Sequence, residues 1–136
     1  MKMKPIKVII RYADGRLVKG YTNNFFPNKP LFHVHSVDSQ PTDKGIEVYL
    51  RDLKAVFFVK DFTGQQSYNE KKCFSADQKP PGRKVEVTFK DGEVLVGSTL
   101  CYDPNCLNFF ITPADAQSNN LRVFIVSTAV SKFIFL

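Results

Sequence analysis

Set each residue n of this chain beside residue n + 77 and one sentence appears twice: VIIRYADGRLVKGYTNNFFPN from Val8, and VEVTFKDGEVLVGSTLCYDPN from Val85. The alignment runs without a gap from Lys7/Lys84 to Val59/Leu136. Identities include Val8/Val85, Asp14/Asp91, Gly15/Gly92, Gly20/Gly97, Thr22/Thr99, Phe32/Phe109, Asp38/Asp115 and Phe58/Phe135. They fall at turn residues and along one face of alternating segments, where a fold constrains sequence most. Two copies of one unit are therefore expected, residues 1–60 and 84–136, joined by a linker over 61–83.

Each copy reads as β. Val8, Ile10 and Tyr12 alternate with Lys7, Ile9 and Arg11, and Val85, Val87 and Phe89 alternate with Glu86, Thr88 and Lys90. A period of two marks a strand with one buried face. Asp14-Gly15 and Asp91-Gly92 then predict two-residue hairpins of type I′, which need positive φ at both central positions. Gly20 and Gly97 sit inside the second strand, where glycine signals a bulge or sharp bend. A third strand (PLFHVHS or LNFFITP), a polar loop and a fourth (GIEVYL or LRVFIV) follow. The connections RDLK and STAVS fit one 3₁₀ turn. The last strands are AVFFVKDF and KFIFL, and KFIFL is a candidate to pair across the interface between copies. The expected fold class is all-β: two tandem five-stranded SH3/Sm-like small barrels related by internal duplication.

Composition narrows the function classes. No apolar run approaches the roughly 20 residues that span a bilayer, so no membrane insertion is expected. Three cysteines (Cys73, Cys101, Cys106) are too few and odd in number for a disulfide framework, which favours a reducing cytoplasm. The net charge of +6 is uneven: residues 1–60 hold eleven Lys/Arg against five Asp/Glu, whereas residues 84–136 hold four against five. A basic excess in one copy raises contact with an anionic partner.

The second copy resembles the first motif of Sm and Sm-like RNA-binding proteins, on Val85, Val87, Gly92, Gly97, Tyr102, Asp103 and Asn108. The resemblance covers Val85–Ile111 and implies the five-stranded Sm-like fold. In the first copy Phe26 stands at the Asp and Leu31 at the Asn, and VFIVST lacks the Arg-Gly of the second motif, so the base-binding set is incomplete. The whole chain also resembles a bacterial family of uncharacterised duplicated domains, which implies a bacterial cytoplasmic protein.

Chemistry-bearing patterns are few. His33 and His35 share a strand face, but their repeat partners Phe110 and Thr112 are not metal ligands. Cys101 and Cys106 lack zinc spacing and a base beside them. Asp38 and Asp115 correspond, and suit a turn role. No nucleophile triad, phosphate loop or metalloprotease motif occurs. No catalytic residue, metal site or cofactor is therefore assigned, and the expected function is a non-catalytic binding or adaptor module with an unknown protein partner. The candidate surface is Arg11, Arg16, Lys19 and Lys29 with Tyr21, Phe25 and Phe26, cations for phosphates and rings for stacking bases. The alternatives are an RNA/DNA-binding Sm-like protein using the basic first copy, and a small-ligand sensor or enzyme with a site between the copies. An unpaired edge strand would support a homodimer.

Overall fold

A computed structural model describes residues 6–26, 29–37, 45–62, 82–100, 108–115 and 119–136. The elements are β1 (Ile6–Tyr12), β2 (Leu17–Thr22), β3 (Leu31–Ser36), β4 (Ile46–Tyr49), a 3₁₀ turn (Leu50–Asp52), β5 (Leu53–Val59), β6 (Arg83–Phe89), β7 (Val94–Thr99), β8 (Asn108–Pro113), β9 (Asn120–Val126), a second 3₁₀ turn (Ser127–Ala129) and β10 (Val130–Phe135). The protein is all-β, as the alternating pattern predicts. Strands β1, β2, β3 and β5 each begin 77 residues before β6, β7, β8 and β10.

The strands form one open antiparallel sheet in the order β10-β6-β7-β8-β9-β5-β1-β2-β3-β4. Two separate five-stranded barrels are not what this pairing describes. The reason lies in β5, LKAVFFV, which is apolar on both faces. All seven of its residues are buried, so it is a poor edge strand. It pairs with β1 on one side and with β9 on the other, in the register Ala55↔Ile125, Val56↔Phe124, Phe57↔Val123. The C-terminal strand pairs with β6 of its own half, so the strand that crosses between halves is β5, not KFIFL.

Neighbouring side chains on a strand point to opposite faces, so this seam feeds two cores. Val8, Ile10, Phe32, Val34, Val56 and Phe58 form the first core, and Phe124 and Val126 of β9 complete it. Val85, Val87, Phe89, Phe109 and Ile111 form the second with Val123 and Ile125, and Ala55, Phe57 and Val59 of β5 complete that one. Each half thus lends one strand face to the other. Fully burying one such Val or Phe is worth about 1.5–3 kcal/mol.

The hairpins differ from type I′. Among the described residues only glycines have positive φ, at 98° for Gly15 and 95° for Gly92. The Gly15 amide donates to the Tyr12 carbonyl (3.0 Å) and the Tyr12 amide to the Arg16 carbonyl (2.9 Å); Gly92, Phe89 and Glu93 repeat this at 2.9 and 2.8 Å. This is a type I turn closed by a glycine bulge, with three loop residues. It spares Asp14 and Asp91 a left-handed conformation, and each aspartate accepts the amide two residues on, at 3.0 Å. Inside β2 and β7 the glycines serve close approach. A Cβ on Gly20 would lie 2.5 Å from the His35 carbonyl oxygen, and one on Gly97 would lie 2.2 Å from that of Thr112.

Candidate binding face

The β1–β2 register pairs Lys7 with Tyr21, Ile9 with Lys19 and Arg11 with Leu17. These six side chains share the sheet face opposite Val8 and Ile10, which face the first core. Phe62, just beyond β5, organises one end of the face. The Lys19 ammonium donates to the Phe62 carbonyl at 3.0 Å. The Tyr21 and Phe62 rings meet edge-on with centroids 5.2 Å apart. Lys7 Nζ lies 6.0 Å from the same ring and donates to the Lys60 carbonyl at 3.5 Å. Bonds to carbonyls position these ammonium groups without cancelling their charge. Among the described residues neither Lys7 nor Lys19 forms an ion pair. Arg11 lies 5.4 Å from the Phe57 ring and 3.6 Å from the Glu93 carboxylate.

Of the residues singled out in sequence, Arg11, Lys19 and Tyr21 come together here. The other four do not join them. Arg16 is tied to the Asp14 carboxylate at 2.8 Å and lies over the Tyr12 ring at 4.4 Å. Its guanidinium is thus neutralised locally, and its amide is the main cause holding the Asp14 carboxyl below the ordinary range. Phe25 turns inward and packs edge-on against Phe32, Phe58 and Phe124, at 4.9, 5.4 and 5.1 Å. Phe26 is left 47% exposed. Lys29 is exposed, its amide donating to the Phe26 carbonyl. Period-two alternation could have placed Lys7 on the face. Phe62 lies past the last strand of its half, where sequence carries no register.

At the seam, Lys54 occupies the bulge of β5 and is 5% exposed. Its ammonium bonds to Asp91 at 2.7 Å and to Glu93, both in the hairpin of the other half, and lies 4.7 Å from the Phe89 ring. The Lys54 bond is the largest cause holding the Asp91 carboxyl below its ordinary value; the Glu93 amide adds to it. A cavity of about 180 Å³ opens beside this cluster, but Lys54 and Asp91 in its wall are spent on each other. A larger cleft of about 420 Å³ lies in the second half, where Arg122 rests over Phe58 (4.6 Å) and Phe110 (4.4 Å) beside Ser98 and Asn108. Asn108 accepts the Ser127 amide at 3.1 Å.

His33 is held structurally: its amide and ring nitrogen both meet the Asn24 side chain at 3.0 Å. Among the described residues no group of three His, Cys, Asp or Glu side chains could hold a metal ion. Cys73, Cys101, Cys106, Tyr102, Asp103 and Asp38 lie outside the described residues. No described helix is long and apolar enough to cross a membrane.

Neither the curated proteins nor the solved structures gave a match to this chain. The pattern of a family of unknown function, DUF6982, matches residues 4–136, and the chain belongs to that family.

Proposed function

We propose that this chain is a non-catalytic binding module whose contact surface is the β1–β2 face, and that its partner is polyanionic, with single-stranded nucleic acid the best fit. The observation that carries the reading is the register placing Lys7, Arg11, Lys19 and Tyr21 on one face, where neither Lys7 nor Lys19 forms an ion pair among the described residues. Cations there would neutralise phosphates, and the 37% exposed Tyr21 ring would stack a base. The excess of basic residues in 1–60 supports the same choice. A protein partner with an acidic, aromatic-accepting surface is the second reading, since the face also carries the exposed Leu17.

The halves are read as a duplicated unit of SH3/Sm-like type, which the matching 77-residue spacing of elements supports. A cytoplasmic setting rests on cysteine usage alone.

The test is fluorescence anisotropy of labelled single-stranded RNA and DNA at low and moderate salt. Binding that weakens with salt, is lost in a folded Lys7→Ala/Arg11→Ala/Lys19→Ala variant, and survives Arg16→Ala supports the nucleic-acid reading. No binding to the wild type at low salt overturns it and favours the protein partner.

A further inference from the structure

The central seam has an equivalent at the two ends of the sheet. It joins β5 of the first half to β9 of the second. Shifted by 77 residues, β5 becomes β10 and β9 becomes β4. Those are the two outermost strands: among the described residues β10 pairs only with β6, and β4 only with β3. One seam is made inside the chain, and the parts of another are left at opposite edges.

The shift predicts what a second seam would look like. Phe57↔Val123 becomes Ile134 opposite Ile46 of the next copy, both apolar and incompletely buried. Ala55↔Ile125 becomes Lys132 opposite Val48. Val56↔Phe124 becomes Phe133 opposite Glu47. Here the match fails. Ala55 is fully buried in the second core and Phe124 is 1% exposed in the first, so Lys132 and Glu47 would carry bare charges into the corresponding cores. The Tyr49 hydroxyl donates to Glu47 at 2.9 Å, one bond against a lost hydration shell. An inward-aimed charge on an edge strand is a known guard against edge-to-edge pairing, and an unpaired buried charge is strongly destabilising.

The ion cluster is also written only once. Ser131 stands where Lys54 would be, and its hydroxyl turns back to the Thr88 carbonyl at 3.1 Å. Arg16 stands where Glu93 would be, closing on Asp14. The ends therefore lack the cation and one anion that hold the central seam.

We propose that β4 and β10 are a self-docking surface for a second copy of this chain, held closed by Glu47 and Lys132. The contact is heterologous, so once opened it propagates head to tail and does not stop at a symmetric pair. The inference rests on strand pairing and edge chemistry, and is independent of the nucleic-acid reading.

The test is sedimentation velocity across a concentration series. The wild type is expected to be monomeric. Glu47→Phe with Lys132→Ala is expected to associate, with affinity rising roughly tenfold for each charge removed. Adding Ser131→Lys and Arg16→Glu, which rebuilds the ion cluster, should tighten it further. In a background with the native cysteines replaced by serine, Ile46→Cys and Ile134→Cys should cross-link between copies of the associating variant. A folded double variant that stays monomeric overturns the proposal. So does association with no 46–134 cross-link, or a wild type that already assembles through that contact. Should the Phe substitution unfold the chain, Glu47→Gln with Lys132→Met puts the same question to the same readout.

Discussion

The Lys54 cluster gives the sharpest energetic prediction, because its members differ so much in exposure. The Lys54 side chain is 7% exposed, whereas Asp91 and Glu93 are 55% and 34% exposed. Removing the carboxylate charges with Asp91→Asn and Glu93→Gln strands the ammonium out of water against the Phe89 ring. Breaking a buried pair in this way costs about 3–5 kcal/mol when both partners are enclosed. Here the carboxylates reach solvent and the ring retains some cation–π attraction, so about 2–3 kcal/mol is expected. Lys54→Met removes the buried charge and leaves two carboxylates free to hydrate, so its cost is only about 0–1 kcal/mol. The triple variant should then be more stable than the double variant, a rescue obtained by deleting the cation. Urea unfolding followed by far-UV circular dichroism measures this. With a slope of about 2 kcal/mol/M, the double variant's midpoint should fall by about 1–1.5 M, and the triple's by less than about 0.5 M. A Lys54→Met variant as damaged as the double variant would refute the reasoning, since the ion pair would then be a net source of stability and not a satisfied desolvation cost.

Further expectations concern pH, backbone and core. The Asp91 carboxyl is held below its ordinary value of 3.8, so its stabilising contribution is fully present above that value and is lost as pH falls through the lowered one; urea midpoints between pH 5 and pH 2 should fall less steeply in Lys54→Met than in the wild type. Gly97→Ala forces a Cβ to within 2.2 Å of the Thr112 carbonyl oxygen, whereas Gly92→Ala meets open space and only strains φ; costs of about 3 and about 1–2 kcal/mol are expected, and thermal melts showing the reverse order would count against the close approach of β7 and β8. Phe25→Ala should cost about 2 kcal/mol and Phe26→Ala less than about 0.5, with equal losses contradicting the inward placement of Phe25. Residues 1–62 and 82–136 expressed separately should each fail to fold cooperatively, because each core takes buried side chains from the other half; a dispersed amide spectrum from either piece alone would contradict that sharing.

Much of the local structure was legible in the sequence. Val8, Ile10 and Tyr12, and Val85, Val87 and Phe89, announce strands by their period of two, and the 77-residue spacing places the hairpins, strand glycines and 3₁₀ turns in both halves. The turn type was not legible from Asp-Gly alone. That dipeptide suits both a type I′ turn and a type I turn with a glycine bulge, and the choice depends on the register of Tyr12 against Arg16. Period two groups Lys7 with Arg11 on β1 and Lys19 with Tyr21 on β2, but a two-residue turn would set the pairs on opposite faces; the three-residue loop brings them to one. Arg16 closes on Asp14, two residues away across a turn whose geometry sequence leaves open. Phe25 and Phe26 posed a question that sequence states clearly, one in and one out, and that only packing answers.

Sequence by itself determined that this chain is all-β and that its elements come in two spaced sets, because alternation and turn chemistry are local properties of a few residues. Tertiary structure decided how the sets combine. The doubly apolar β5 needs cover on both faces, the second half supplies it through β9, and the result is one sheet with two interleaved cores. Sequence contains Glu47 and Lys132 as ordinary surface charges. Only the pairing order puts them at the two edges that match the central seam, because an edge exists only once strands that are distant in the chain have found their neighbours.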